Sequence, residues 1–224
     1  MNGRHLLITL LMLTCGLLVG CASTTKEVPS GFLKNYPQFQ PGPSDGADQI
    51  YTKPGMDLSK YRRVMLDEAQ FYLKKSAADQ GVQASELKEL SDTFHRAIFE
   101  ALGNAYPLVT EPGADVLRVR LAITDIETSN PAMSGVTTVL PVGLAVSVVK
   151  KAATGSHTGV GSASMEVELL DSMSNEQLVA AIDTFNGSKM SGLSKLGSTK
   201  EAFEFWAKRL RVTLDKAHGK TAQK

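Results

Sequence analysis

Asp115-Val-Leu-Arg-Val-Arg-Leu-Ala-Ile-Thr-Asp-Ile-Glu-Thr128 decides the fold. Leu117, Val119, Leu121 and Ile123 alternate with Arg118, Arg120, Ala122 and Thr124, the period of a strand with one buried face. The pattern returns at Ala163–Leu170, where Met165, Val167 and Leu169 point one way and Glu166 and Glu168 the other. The turn-forming run Asp171-Ser-Met-Ser-Asn175 follows, and a β-like run from Gln177 to Phe185 completes an antiparallel hairpin.

Working outward, Arg63 to Asp67 reads as a first strand. Leu87, Leu90, Phe94, Ile98 and Ala101 or Leu102 recur at helical spacing, predicting a helix capped by Ser85 and stopped at Gly103-Asn104. A second helix is predicted from Ser198, with Glu201 closing a capping box. Its apolar face carries Phe203, Trp206, Ala207, Leu210 and Leu214, and Lys208, Arg209, Arg211 and Lys216 lie elsewhere on it. The order strand, helix, strand, strand, strand, helix predicts an α+β fold: a mainly antiparallel sheet with two amphipathic helices packed on one face. The single domain runs from 61 to 218, and a disordered tail covers 219–224.

Residues 21–60 read as a tether that becomes an extended Pro-rich arm. Pro29, Pro37, Pro41, Pro43 and Pro54 exclude a long helix or a central strand. Phe32, Leu33, Tyr36, Phe39, Ile50, Tyr51, Met56, Leu58 and Tyr61 call for a surface to bury against.

The chain opens with Met1-Asn-Gly-Arg-His5 and carries no charge from Leu6 to Val19, the layout of an export signal. As a helix this apolar run spans only about 21 Å, short of the roughly 30 Å hydrocarbon core of a bilayer. It ends Leu18-Val-Gly-Cys21, which resembles the bacterial lipobox. That resemblance implies cleavage between Gly20 and Cys21, removal of residues 1–20, and diacylglycerol and palmitate-type acylation at Cys21. Ala22, where an aspartate would hold a Gram-negative lipoprotein at the inner membrane, implies the outer membrane, facing the periplasm. The other cysteine, Cys15, falls in the discarded segment, so the mature fold rests on burial without disulfides.

Of 24 Lys and Arg and 23 Asp and Glu, Arg4 is the one charge among the first twenty residues. Mature protein is therefore neutral, with none of the basic excess that nucleic-acid binding requires.

Asn130 to Gly161 fits least. Its core, Val136 to Val149, is uncharged but broken by Pro141 and Gly143, so it does not read as a spanning helix. A short packed helix, an extra strand or hairpin, and an apolar contact loop built on Val136, Val139, Leu140, Leu144 and Val148 all remain open. A loop of that kind would touch membrane or an envelope protein partner.

Chemistry is sparse. His95 sits on the first helix, His157 in a Gly/Ser/Thr loop, His218 near the C-terminus, and His5 in the signal. No metal-ligand spacing occurs, and the sequence calls for no catalytic residue, metal or other cofactor. The run Gly155–Ser164 lacks both the phosphate-loop ending and the G-x-S-x-G elbow. An enzyme would have to combine Ser156 or Ser162 with His157 and Asp171 or Asp125, as a membrane-surface hydrolase on loop 155–164. The leading expectation is a non-enzymatic binding or scaffolding module held at a membrane through Cys21. With lipobox, arm, central strand and the Leu169-Leu-Asp-Ser172 hairpin in place, the chain resembles a bacterial lipoprotein family known as domain of unknown function 3313, from about Gly31 to His218. The resemblance implies envelope location, carries over no catalytic residue and says almost nothing about activity.

Overall fold

The computed structural model describes residues 29–73, 82–129, 160–188 and 190–220. Readings that fall on Gly20, Cys21, the 136–149 segment with Val136, Val139, Leu140, Leu144 and Val148, and Ser156 with His157 lie outside the described residues.

Among the described residues seven strands form one sheet: β1 (Gln40–Pro41), β2 (Gln49–Thr52), β3 (Arg63–Leu66), β4 (Gln70–Phe71), β5 (Val116–Glu127), β6 (Ser162–Asp171) and β7 (Gln177–Asn186). Their spatial order is β1-β2-β7-β6-β5-β3, with β4 also on β5. Helices α1 (Ala84–Leu102) and α2 (Gly197–Ala217) complete the α+β fold. The sheet is mixed. β5, β6 and β7 run antiparallel, as do β2 on β7 and β1 on β2, but β3 and β4 lie parallel to β5. The reason is connectivity: the chain reaches β5 from β4 through α1, and a helical crossover returns a strand in the same direction. Residues 40–52 add two strands to the free edge of β7, with Pro41 confined to the outermost one, where a missing N–H costs no ladder bond.

Both helices cover the near face. Leu117, Val119, Leu121 and Ile123 of β5 join Leu90, Phe94 and Ile98 of α1 and Phe203, Trp206 and Leu214 of α2 in the main core. Phe94 and Phe203 meet edge to face, centroids 5.4 Å apart. The far face is covered from the N-terminal side, where Phe32 and Leu33 are buried against Ala122 and Ala180, with Tyr36, Phe39 and Tyr51 around them. The remaining apolar residues of the 29–61 stretch go to the near-face core: Leu58 and Tyr61 are buried in it, and Ile50 and Met56 pack against it.

Both predicted helix caps are corrected. Helix α1 begins one residue before Ser85, with Gln83 at the cap and its amide donating to Glu86 Oε2 at 2.7 Å. Glu86 is three residues from Gln83, so a capping box closes with its cap two residues before Ser85, and Lys195 pairs with the same carboxylate. Ser198 does not cap α2. It is buried, its Oγ 3.2 Å from Ser129 Oγ, while Glu201 accepts from the Ser188 amide at 2.9 Å. Ser188 and residues 190–196 fold back over the helix start and supply tertiary partners that sequence spacing cannot reveal.

Three buried or half-buried tyrosines each donate to a carboxylate: Tyr36 to Glu166 at 2.6 Å, Tyr61 to Asp171 at 2.8 Å and Tyr106 to Asp215 at 2.9 Å. Burial first, then the neighbouring carboxylate, pushes Tyr106 up to about 12 and shifts Tyr36 and Tyr61 in the same direction. A raised tyrosine stabilises the fold fully below its unfolded value near 10 and ceases to do so as pH rises through the folded value. Thermal stability should therefore fall between about pH 10 and 12, with part of the tyrosinate absorbance appearing late. Tyr106→Phe should flatten that part of the stability profile. An unchanged alkaline profile in the variant would show that this pair contributes nothing.

Candidate functional site

Helix α2 and the near face of the sheet do not close on each other along their whole length. A cavity of about 430 Å3 lies between them, within the roughly 300–1,000 Å3 range of ligand pockets. Its origin is local. Val167 on β6, Ala181 on β7 and Ile50 on β2 stand in one cross-strand row, and the small Ala181 leaves the middle of that row low. Phe205, Trp206 and Leu210 of α2 form the opposite wall, while Phe94 and Ile98 of α1 close the inner end. The turn between β1 and β2 brings Pro43, Asp45 and Gly46 over the open side.

Charge is confined to the mouth. Lys208, Arg209 and Lys216 come from α2 and Asp45 from the turn. Lys216 Nζ lies 3.2 Å from an Asp45 oxygen, both side chains largely exposed, an ion pair of the kind that contributes little. The Lys216 ammonium nevertheless holds the Asp45 carboxyl below its ordinary range. Arg209 is tied down. Its guanidinium donates to Asp183 Oδ2 at 2.8 Å and lies over the Phe205 ring, 4.4 Å from the centroid. Asp183 is itself buried and also accepts from Trp206 Nε1 at 2.7 Å and the Asp48 amide at 3.0 Å. Lys208 is exposed, with no ion pair among the described residues.

The opposite face carries a polar cluster that the alternation pattern assigns to solvent. Glu166 and Glu168 are buried, 2% and 0% exposed. Glu166 accepts from the Ser30 amide and hydroxyl, both at 2.8 Å, and from Tyr36, so it clips residues 30–36 to the sheet. Glu168 pairs with Arg120, its neighbour across the β5–β6 ladder, and accepts from Gln177 Nε2 at 3.0 Å. Burial in this case is produced by a segment more than a hundred residues away in the chain.

Of the sequence candidates for hydrolysis that are described, Asp125 pairs with Ser164 across the β5–β6 ladder, two residues along β6 from Ser162, while Asp171 is remote from both. Ser162 and Asp171 stand at opposite ends of β6, about 30 Å apart at the usual rise of a strand. Ser162 Oγ donates to Glu127 at 3.2 Å. Asp171 organises the hairpin: one carboxylate oxygen accepts the Met173 and Ser174 amides and the Ser174 hydroxyl, the other accepts from Tyr61 and Lys60. The Ser174 amide above all holds its carboxyl well below the usual carboxylate range. Asp125 Oδ1 accepts the Ile126 amide at 3.0 Å. Gly161 has a packing role, because a Cβ there would come within 2.0 Å of the Glu127 carbonyl oxygen. His95 is exposed on α1, and His218 Nδ1 lies 2.8 Å from the Leu214 carbonyl oxygen at the end of α2. Among the described residues no group of three or more His, Cys, Asp or Glu side chains is placed to hold a metal, and no helix is long and apolar enough to cross a membrane.

Comparison with known proteins bears on identity more than on chemistry. An Escherichia coli K12 protein called Uncharacterized lipoprotein YdcL is 30% identical over 196 residues, which cover 85% of each chain, and the protein of the same name from E. coli O157:H7 matches equally. Among solved structures, a PelC dodecamer from Paraburkholderia phytofirmans aligns with a TM-score of 0.38 and 11% identity over 77% of this chain and 96% of that one. Protein XCC0632 from Xanthomonas campestris aligns with a TM-score of 0.37 and 10% identity over 75% and 91%. Neither likeness bears on function. The family described as Protein of unknown function (DUF3313) matches residues 28–210, and the chain belongs to it.

Proposed function

We propose that this chain is an envelope lipoprotein, anchored through Cys21 at the periplasmic face of the outer membrane, whose α+β domain works as a non-enzymatic binding module for another envelope component. The lipobox ending at Cys21, Ala22 after it and the lipoprotein name of the E. coli relative support the anchoring. The binding reading rests on one observation, the apolar cavity under α2 with its charges gathered at the mouth. A wholly structural core would close such a space, since interiors pack nearly as densely as organic crystals. The clip at Glu166 adds a constraint on position. Nine Cα steps separate Cys21 from Ser30, so in an anchored chain Ser30 stays within about 30 Å of the bilayer.

The experiment is purification of the full lipidated chain from envelopes, wild type beside Ala181→Phe, with identification of all that accompanies each. A phenyl ring at position 181 should obstruct the middle of the cavity and remove the bound component, with folding checked by circular dichroism. Identical companions for both proteins would remove the cavity from the proposal. Cys21→Ala, run in parallel, should abolish incorporation of labelled palmitate and leave an uncleaved precursor. Equal labelling would overturn the anchoring.

A further inference from the structure

We propose that the occupant of the cavity is a fatty acid: one acyl chain lying between α2 and the sheet, with its carboxylate at the Lys208–Arg209–Lys216 mouth. The inference rests on the binding reading above and adds the chemical class of the ligand.

Polarity and charge narrow the class. About 430 Å3, within the range of ligand pockets, gives room for an acyl chain. The interior offers aliphatic and aromatic walls, whereas a sugar, a nucleotide or a polar peptide would need donors and acceptors along its length. At the mouth, Lys216 pairs with Asp45, and Arg209 with Asp183, beside which stands the Asp48 carboxylate, so Lys208 is the one mouth cation with no ion pair among the described residues. A single uncommitted cation suits a monoanion. Lys208 supplies the uncommitted ammonium, and the weak Lys216–Asp45 pair can open to admit a second contact. A dianionic phosphate headgroup would exceed the charge available, and a zwitterionic one would place its cation among like charges.

The test uses membranes carrying the full lipidated chain and a photoactivatable, alkyne-tagged myristic acid added after isolation, so that only light-dependent label is counted. Wild-type protein should be labelled at cavity residues. Unlabelled fatty acids should compete with the label, and chains too long for the cavity should compete less well. Ala181→Phe should cut labelling at least tenfold. Lys208→Glu, at an exposed position that leaves the core untouched, should weaken competition by the acid about tenfold while leaving a tagged fatty alcohol unaffected. Equal labelling of wild type and Ala181→Phe would overturn the proposal, as would equal competition by the alcohol or by a lysophospholipid. If the acid fails to bind while another molecule co-purifies with wild type and is lost from Ala181→Phe, the fatty-acid class falls and the binding module stands. If neither variant changes anything that binds, both fall.

Discussion

Replacing Glu168 by alanine is expected to lower the stability of the domain by about 3–5 kcal/mol, because truncating one member of a buried ion pair leaves the other charge without its partner. Glu168 is 0% exposed and is the cross-strand partner of Arg120, with Gln177 on its second oxygen. Asp67 is also within reach of Arg120, at 3.5 Å, but it is already engaged by Arg118 and makes a poor substitute. At roughly 2–4 °C per kcal/mol for a chain of this size, the melting temperature should drop by on the order of 10 °C. Glu168→Gln keeps an acceptor for Gln177 and should lose less. A loss below about 1 kcal/mol for the alanine variant, measured by urea denaturation, would mean that the pair is replaceable by solvent and that the covering segment is more loosely held than its contacts indicate.

The second large effect is expected at Asp183, where alanine should cost a comparable 3–5 kcal/mol. Its carboxylate collects the Trp206 indole N–H, the Arg209 guanidinium and the Asp48 amide, joining α2, β7 and the segment before β2 at one buried point. Removing it leaves three donors without their acceptor and releases Arg209 at the cavity mouth. The variant should therefore melt earlier and yet, in the fraction that stays folded, bind a carboxylate ligand more tightly than wild type. Asn at the same position retains one acceptor oxygen and should fall between the two. Weaker binding by folded Asp183→Ala would show that Asp183 serves the site by positioning Arg209, not merely by neutralising it.

Both predictions concern residues whose importance is hidden in the sequence. In Met165-Glu-Val-Glu-Leu169 the two glutamates read as the solvent side of a half-buried strand, which is what alternation normally means for antiparallel sheets. Phe32, Leu33 and Tyr36 carried the only available signal against this, since they required a surface and the glutamate face was the one left open. Asp183 was similarly obscured, as one acid in an otherwise β-like run.

Local physics made much of the fold readable. The period-two runs of β5 and β6, the turn cluster at 171–175, the 3.6-residue stripes of α1 and α2, and Gly103 as a helix stop are all consequences of backbone geometry and side-chain direction, so they are written in the order of residues. The same holds for the export signal and lipobox pattern before Cys21, which is a matter of short contiguous chemistry. Other features depend on residues far apart in the chain meeting in space. The parallel placement of β3 and β4 follows from the path through α1, and the burial of Glu166 and Glu168 from the return of residues 30–36. The start of α2 is set by Ser188 and residues 190–196, and the cavity by a small residue, Ala181, opposite a helix that does not fully descend onto it. Periodicity specifies which face of an element is apolar; what covers that face, and how closely, is settled only when the elements are assembled.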